Sequence, residues 1–220
     1  MPPPTADTTT ERRAQARRVI RGLEALYPNP VCALVHKSPF ELLVATILSA
    51  QCTDARVNLV TPALFARFPD APALARADLL EVEALIHSTG FFRAKSKSLV
   101  GMSLALVLDH GGVVPKDLEA LTALPGVGRK TAHVILGVAF GLAEGVVVDT
   151  HVKRLSFRLG LTEATDPVKI ERDLVAVIPR KHWINISHRF IDHGRAICRA
   201  IRPRCEACEL AKFCPRRGVD

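Results

Sequence analysis

Three features are missing from this 220-residue chain, and each absence excludes a class of protein. No run of eighteen apolar residues occurs, so the sequence predicts no membrane-spanning helix. The start of the chain has no basic stretch followed by an apolar core, which excludes a secretory signal and favours a cytoplasmic protein. Internal repeats and Gly/Ser-rich linkers are also missing, so a repeat array or a string of tethered domains is not expected.

Alternation of apolar and polar residues at a period of two is likewise missing, which argues against a β-sheet. Apolar residues recur instead at helical spacing, between short breaks rich in Pro, Gly and Asp. The sequence therefore predicts an all-α protein, with Val146 to Val148 as an extended link. The predicted helical segments are 11–26, 40–48, 56–67, 78–87, 94–109, 117–123, 129–141, 167–177 and 183–197, with a further helix that starts at Asp149-Thr150.

The charge of the chain is strongly positive. It carries 30 Lys and Arg against 22 Asp and Glu, which gives a net charge of +8 and a pI near 9.5. Half of that excess lies in residues 195–220, where seven basic side chains stand against three acidic ones. Such a balance favours a polyanionic partner, although it says nothing about the fold.

The most informative segment runs from Leu124 to Lys130, Leu-Pro-Gly-Val-Gly-Arg-Lys. Its glycines allow close approach of a backbone, and the first-turn amides of the following helix point outward. Such a turn can bind phosphate through those N–H groups and the helix dipole. The simpler alternative is a turn that only connects two packed helices.

Lys130 and Asp149 are the candidate catalytic residues. A lysine amine can act as a nucleophile on a sugar, but only after it loses its proton. A helix N-terminus contributes only about 0.3–1 kcal/mol toward that loss, so desolvation by a bound substrate must contribute most. The alternatives are a phosphate-binding role for Lys130 and a helix N-cap role for Asp149, and both can hold alongside catalysis.

Four of the six cysteines lie near the end of the chain, with the spacing C-x6-C-x2-C-x5-C. In a chain without a secretory signal, such a cluster indicates metal ligation rather than disulfides. Zinc and an iron–sulfur cluster both remain open, and the single short C-x2-C pair favours iron–sulfur modestly. The candidate ligands are Cys198, Cys205, Cys208 and Cys214.

Five segments, in this order and spacing, are together highly specific. They are Leu48-Ser-Ala-Gln-Cys-Thr-Asp54, Leu124-Pro-Gly-Val-Gly-Arg-Lys-Thr-Ala132, Val148-Asp-Thr-His-Val152, His193-Gly-Arg195 and the cysteine-rich stretch. Over about residues 15–216 the chain resembles endonuclease III, the bacterial member of the helix-hairpin-helix DNA glycosylase superfamily.

The resemblance implies two helical lobes with a DNA-binding cleft between them. A six-helix barrel lobe containing the helix-hairpin-helix would occupy 33–143. Segments 15–32 and 144–220 would form the other lobe, which carries a [4Fe–4S] cluster on the four cysteines, and 1–14 would be a disordered tail. A monomer associated with the nucleoid is expected.

The activity implied by the resemblance is removal of oxidised pyrimidines from double-stranded DNA, followed by cleavage at the abasic site by β-elimination. Lys130 would form a Schiff base with the sugar, and Asp149 would support the positive charge that develops there. Gln51 would fill the space left by the flipped nucleotide, and Phe91 would be an apolar wedge, although Phe91 could instead be a core residue. Phosphate contacts would come from Gly126, Gly128 and Arg129.

Two positions depart from the family pattern, namely His133 and Phe92, which are expected near the DNA-binding face. The rivals are a mismatch glycosylase and a noncatalytic DNA-binding module with a structural metal. The first lacks support because no glutamate occurs in Val44 to Ile47. The second would leave Lys130 and Asp149 without a role.

Overall fold

The computed structural model describes residues 6–219, and side chains from residue 9 onward. Within that range eleven α-helices and four short 3₁₀ turns account for the regular structure, and no strand occurs. The all-α prediction is thus confirmed. Among the helices of the described range, none has the length and apolar character needed to cross a membrane.

The chain divides into two compact units. The continuous unit is formed by residues from Cys32 to Glu144. The split unit combines the chain up to Val31 with the chain from Gly145 onward. Each unit has its own apolar core, and the two cores share no residue.

In the continuous unit, short helices begin at polar caps and pack around one apolar core. Ser38, Thr53, Asp70, Asp78 and Asp117 each accept a first-turn backbone N–H through the side chain, which satisfies a donor that the helix itself leaves unpaired. The helices are α2 (Pro39–Leu48), α3 (Asp54–Arg67), α4 (Ala71–Ala75), α5 (Leu79–Ile86), α6 (Phe92–His110), α7 (Leu118–Ala123) and α8 (Arg129–Phe140), with a 3₁₀ turn at His87–Thr89.

In the split unit, the N-terminal helix packs with helices from the C-terminal part. Fully buried side chains from both parts, such as Leu23 and Phe190, meet in its core. The elements are α1 (Ala6–Leu26), α9 (Thr150–Arg158), α10 (Pro167–Val177) and α11 (Trp183–Ala196), with 3₁₀ turns at Arg180–His182, Cys205–Ala207 and Glu209–Phe213.

The disordered tail expected over residues 1–14 is wrong from Ala6 onward, where α1 begins. Contacts with distant parts of the chain hold this helix in place: Arg13 Nε donates to the Ala176 carbonyl at 3.2 Å, and Gln15 Nε2 donates to the Leu159 carbonyl at 3.0 Å. The polar composition of this segment suggested disorder. Its stabilising contacts could not be foreseen, because the acceptors of these side chains lie far away in the sequence. The first five residues of the expected tail lie outside the described residues.

Candidate nucleic-acid interface and cysteine centre

The turn between α7 and α8 contains two glycines, and only one of them is required by the geometry of the turn. Gly126 has a φ of +77°, and a Cβ added there would lie 2.7 Å from the Ser98 Cβ, so the turn requires glycine at this position. Gly128 has an ordinary φ of −90°, and a Cβ there would have no heavy atom within 4 Å. The Gly128 backbone therefore faces open space, although nothing inside the protein requires glycine there.

The beginning of α8 suits an anion. Gly128 caps the helix without a side-chain acceptor, so no carboxylate or hydroxyl of a capping residue occupies the first-turn amides. Buried Val127 on the turn and buried Ala132 on α8 anchor the hairpin in the core. Arg129 and Lys130 extend from the first turn and are exposed. The hairpin therefore combines a helix N-terminus with two cationic side chains, as the sequence predicted.

Asp149 is the N-cap of α9, in the split unit. Its Oδ1 accepts a hydrogen bond from the Val152 backbone N–H at 2.8 Å. Asp149 itself has an extended backbone, and Ser187 Oγ donates to the Val147 carbonyl at 2.9 Å, which fixes the approach to the cap. The N-cap role proposed as an alternative for Asp149 is therefore real, and it uses one carboxylate oxygen.

Helix α9 also contacts the residues that begin the cysteine-rich stretch. Arg154 donates to the carbonyls of Cys198 at 3.0 Å and Gly194 at 3.2 Å. A Cβ on Gly194 would lie 2.5 Å from the His151 Nδ1, so glycine in the His-Gly-Arg motif allows α9 and α11 to pack closely. These contacts of Arg154 could not be predicted from the sequence, because every residue has a backbone carbonyl that could accept them.

Gln51 and Phe91 share an unusual backbone conformation. Their φ values are +52° and +48°, in the left-handed region, which costs about 1 kcal/mol or more for a residue with a side chain. Both residues are exposed, and Phe91 keeps 66% of its surface accessible. The core-packing alternative for Phe91 is therefore wrong. Strained exposed residues of this kind are typical of functional sites.

The two positions that depart from the family pattern differ in their burial. His133 is buried on α8, at 5% exposure, so it does not form part of an accessible surface. Phe92 is half-buried, and its ring lies 4.4 Å from the His87 ring, centroid to centroid. That both positions lie near the DNA-binding face stays a prediction.

The four C-terminal cysteines line one cavity in the split unit, together with the buried side chains of Arg158 and His193. All four are half-buried free thiols. Between residues 6 and 219, no group of three or more His, Cys, Asp or Glu side chains is spaced for a single metal ion. Burial raises the pKa of the Cys208 and Cys214 thiols, so their thiolate forms need positive or hydrogen-bonding neighbours.

Several such neighbours are present. Arg158 NH1 lies 3.5 Å from the Cys198 Sγ and also donates to the Arg199 carbonyl at 2.7 Å. His193 Nε2 lies 3.4 Å from the Cys208 Sγ, and its Nδ1 lies 3.3 Å from the Tyr27 hydroxyl. Burial lowers the pKa of His193 to about 4, so the ring is neutral at pH 7.

With Cys208 as a thiolate, the one ring proton of His193 belongs on Nε2, where it can donate to the sulfur. The Tyr27 hydroxyl then donates to Nδ1. Ligand thiolates in metal sites commonly have such donors around them.

Comparisons with known proteins identify the family of the chain. The model of the HhH-GPD superfamily base excision DNA repair proteins matches residues 44–180. Endonuclease III of Synechocystis is 56% identical over 204 residues, 93% of each chain, and endonuclease III of Bacillus subtilis is 44% identical over 86% of each. The solved structure of a trapped endonuclease III–DNA covalent intermediate matches with a TM-score of 0.88 and 40% identity, over 93% of this chain and 96% of that one.

A thermostable thymine-DNA glycosylase has a TM-score of 0.81 over 94% of this chain. At 20% identity this likeness shows a shared fold alone.

Proposed function

This chain belongs to the endonuclease III family of the HhH-GPD superfamily, and we propose from that premise that its substrates are oxidised pyrimidines and abasic sites in duplex DNA. As a member of that family it is a base excision repair DNA glycosylase with DNA as its partner. The finer proposal rests on one observation above all: an exposed lysine stands on the first turn of the helix that follows the glycine turn. That position suits a nucleophile brought to a sugar beside a bound phosphate.

Lys130 would act through its neutral amine. The amine attacks C1′ of the damaged nucleotide, a bond forms between nitrogen and carbon, and the bond from C1′ to the base breaks. The base leaves with the electron pair of that bond and takes up a proton. Opening of the sugar ring then gives a Schiff base, and loss of a C2′ proton expels the 3′ phosphate by β-elimination. Bound DNA would supply most of the desolvation that keeps the amine neutral.

Asp149 would support this chemistry on the sugar. A carboxylate stabilises the positive charge that develops at C1′ as the base leaves, and it can accept a proton in later steps. The hydrogen bond from Val152 N–H to Oδ1 fixes the carboxylate at the start of α9. The cap would thereby orient the group as well as stabilise the helix.

Contacts with DNA would come from the continuous unit and from the basic residues 195–220 of the split unit. Gly126 and Gly128 amides, with Arg129, would bind a phosphate at the hairpin. Gln51 and Phe91 would enter the duplex when the target nucleotide flips out, since both are exposed on strained loops. Affinity should then fall steeply with salt, because the phosphate contacts release counterions.

We further propose that Cys198, Cys205, Cys208 and Cys214 hold a [4Fe–4S] cluster. The fit rests on four thiols that line one cavity beside the N–H donors of Arg158 and His193. A bound cluster would supply four iron–thiolate links that fold the stretch carrying Arg199, Arg202 and Arg204. Iron and acid-labile sulfide content would distinguish a cluster from zinc, the alternative left open by the cysteine spacing.

Borohydride trapping tests the central assignment. A duplex with a thymine glycol, incubated with the protein and borohydride, should give a covalent complex, and Lys130→Gln should give none. The matched control is Lys169→Gln, which removes another exposed first-turn lysine, on α10, and should trap fully. Nicking of an abasic duplex by Lys130→Gln at the parent rate would refute the nucleophile. Tight binding without nicks by the parent protein would favour a noncatalytic module.

Substrate range and assembly form the remaining part of the proposal. A panel of duplexes with thymine glycol, oxidised cytosine, a formamidopyrimidine, a bare abasic site and an A·G mismatch would separate the lesions. Excision confined to the mismatch would favour the mismatch-glycosylase rival. Sedimentation should give the mass of a monomer, alone and bound to a short duplex.

A further inference from the structure

The loops that carry Gln51 and Phe91 come from distant parts of the continuous unit. Gln51 follows the end of α2 by three residues, and Phe91 directly precedes α6. Both are exposed, and both have left-handed backbone conformations that an isolated loop would leave. Some interaction must therefore hold each loop in the strained form.

The side chain of Lys95, from the first turn of α6, connects these two loops. Its Nζ donates to the Leu48 carbonyl at 2.8 Å and to the Thr89 carbonyl at 2.8 Å. Leu48 is the last residue of α2, three residues before Gln51. Thr89 lies two residues before Phe91. One ammonium group thus joins the backbone two or three residues before each strained residue.

The bridge is buried. Lys95 is only 5% exposed, although lysine is rarely buried without partners. Desolvation by burial lowers its pKa, and the nearby Cys52 thiol opposes that shift in its thiolate form. The carbonyl at the end of α2 carries the negative end of the helix dipole, which favours a cation there. The carbonyls and the dipole together offset the loss of hydration.

The surroundings of Lys95 argue for a positioning role rather than a purely stabilising one. An apolar side chain of similar volume would leave the Leu48 and Thr89 carbonyls without this donor, which costs stability as well as geometry. A methionine would fill the same space, but it could not hold two carbonyls at fixed distances. What the ammonium provides is a fixed geometry of the two loops relative to each other.

We propose that Lys95 is a positioning residue that locks the Gln51 and Phe91 loops in one arrangement, so that both side chains enter the duplex in a single concerted step. The proposal rests on the insertion roles assigned above to Gln51 and Phe91. Lys95 itself contacts neither the sugar nor the base. Its effect is confined to the flipping step, before any bond is broken.

The test uses the full-length Lys130→Gln protein, which stops the reaction before covalent chemistry. The probe is a duplex with 2-aminopurine beside a thymine glycol, since its fluorescence rises when the neighbouring stack opens. With Lys95→Met added, the fluorescence rise should slow by roughly tenfold or more, because small misplacements of positioning groups have effects of that size. The salt dependence of binding should stay the same, because the phosphate contacts are unchanged.

Two further variants make the result specific. Leu106→Ala opens a cavity in the same helix, eleven residues away from Lys95, and should lower stability while leaving the fluorescence rise at the parent rate. Should Lys95→Met fail to fold, Lys95→Gln takes its place. The glutamine amide is shorter and reaches one carbonyl at most, so the same slowing is expected.

The outcomes are separable. A parent rate in folded Lys95→Met, or equal slowing in Leu106→Ala, would overturn the positioning role while the insertion roles stand. No fluorescence rise in the Lys130→Gln parent would remove the insertion roles and this proposal together. In the active protein, which keeps Lys130, Lys95→Met should reduce the rate of single-turnover excision by the same factor as it reduces the rate of the fluorescence rise. A larger loss of excision than of flipping would place Lys95 in the chemistry and contradict the proposal.

Discussion

The two units stabilise their helices in different ways. The continuous unit buries a large apolar core, and five of its seven helices begin at side-chain caps. The split unit also has an apolar core, but it buries the guanidinium groups of Arg158 and Arg189 as well. These donate to backbone carbonyls, at 2.7 Å to Arg199 and 3.1 Å to Tyr27. A buried lysine, Lys95, makes such contacts in the continuous unit, whereas two buried arginines make them in the split unit.

The difference follows from the stretch after α11. From Ile197 onward the split unit has only short 3₁₀ turns, so most backbone carbonyls there have no helical partner. Buried carbonyls without donors are costly. In this stretch Arg158 donates to the carbonyls of Arg199 and Ala200, and Arg154 donates to that of Cys198. The cysteine centre lies in this same stretch. We therefore expect loss of the centre to damage the split unit and to leave the continuous unit intact.

The largest expected effect comes from Cys205→Ser. If the proposed cluster is bound, loss of one of its proposed ligands should release it, so iron content falls and amide hydrogen exchange rises throughout the cysteine-rich stretch. Exchange in the continuous unit should stay slow, because its core lies elsewhere. The matched control is Cys52→Ser, a half-buried cysteine of the continuous unit, which should keep full iron content. Unchanged protection of the cysteine-rich stretch in an iron-free variant would contradict the comparison.

Two alanine variants, one in each core, allow the stabilities of the two units to be compared directly. Leu99 in α6 and Leu155 in α9 are both fully buried, and truncation to alanine should lower the free energy of unfolding by about 2–5 kcal/mol at either site. Leu155 also lines the cysteine cavity. The Leu155→Ala protein should therefore lose iron faster on dilution, which Leu99→Ala should not. Equal rates of iron loss would show that the two units are not independent.

A pair of helix caps separates stability from catalysis. Asp149 and Asp117 each accept a first-turn N–H at 2.8 Å, one in each unit. Asparagine caps helices as well as aspartate, so either Asp→Asn change should leave chemical unfolding almost unaffected. Excision by Asp149→Asn should fall by about 10²-fold or more, because the carboxylate charge is lost. Full activity of this variant would restrict Asp149 to capping.

The two hairpin glycines should give the smallest effects. Gly126→Ala forces a positive φ and a close contact with Ser98, so stability should fall by about 1–3 kcal/mol. Gly128→Ala meets no neighbour, so thermal unfolding should stay nearly unchanged while duplex affinity weakens modestly. Affinity measured by fluorescence anisotropy, beside a thermal melt, tests both. Unchanged affinity in Gly128→Ala would mean that no backbone approaches this residue.

Much of the fold was predictable because its causes are local. Helical periodicity and caps such as Asp117 and Asp149 are visible within a few residues, and the hairpin glycines lie where the motif placed them. The start of α1 was not predictable, because Arg13 has its acceptor 163 residues away. The contacts of Lys95 and Arg154 were not predictable for a similar reason. Their acceptors are backbone carbonyls, which every residue has. The burial of His133 was not predictable, because it depends on how α8 packs against the rest of its unit.

The split unit has a consequence for how the chain is synthesised. Gln15 leaves the ribosome early, yet it donates to the carbonyl of Phe213, 198 residues later. The continuous unit has all its residues available long before that point, and domains generally fold as units during translation. The apolar side of helix α1 therefore stays unpaired with its final partners until the segment around Phe213 has been synthesised. Ribosome stalling near the 3′ end of the message should consequently leave a folded centre with two unassembled ends.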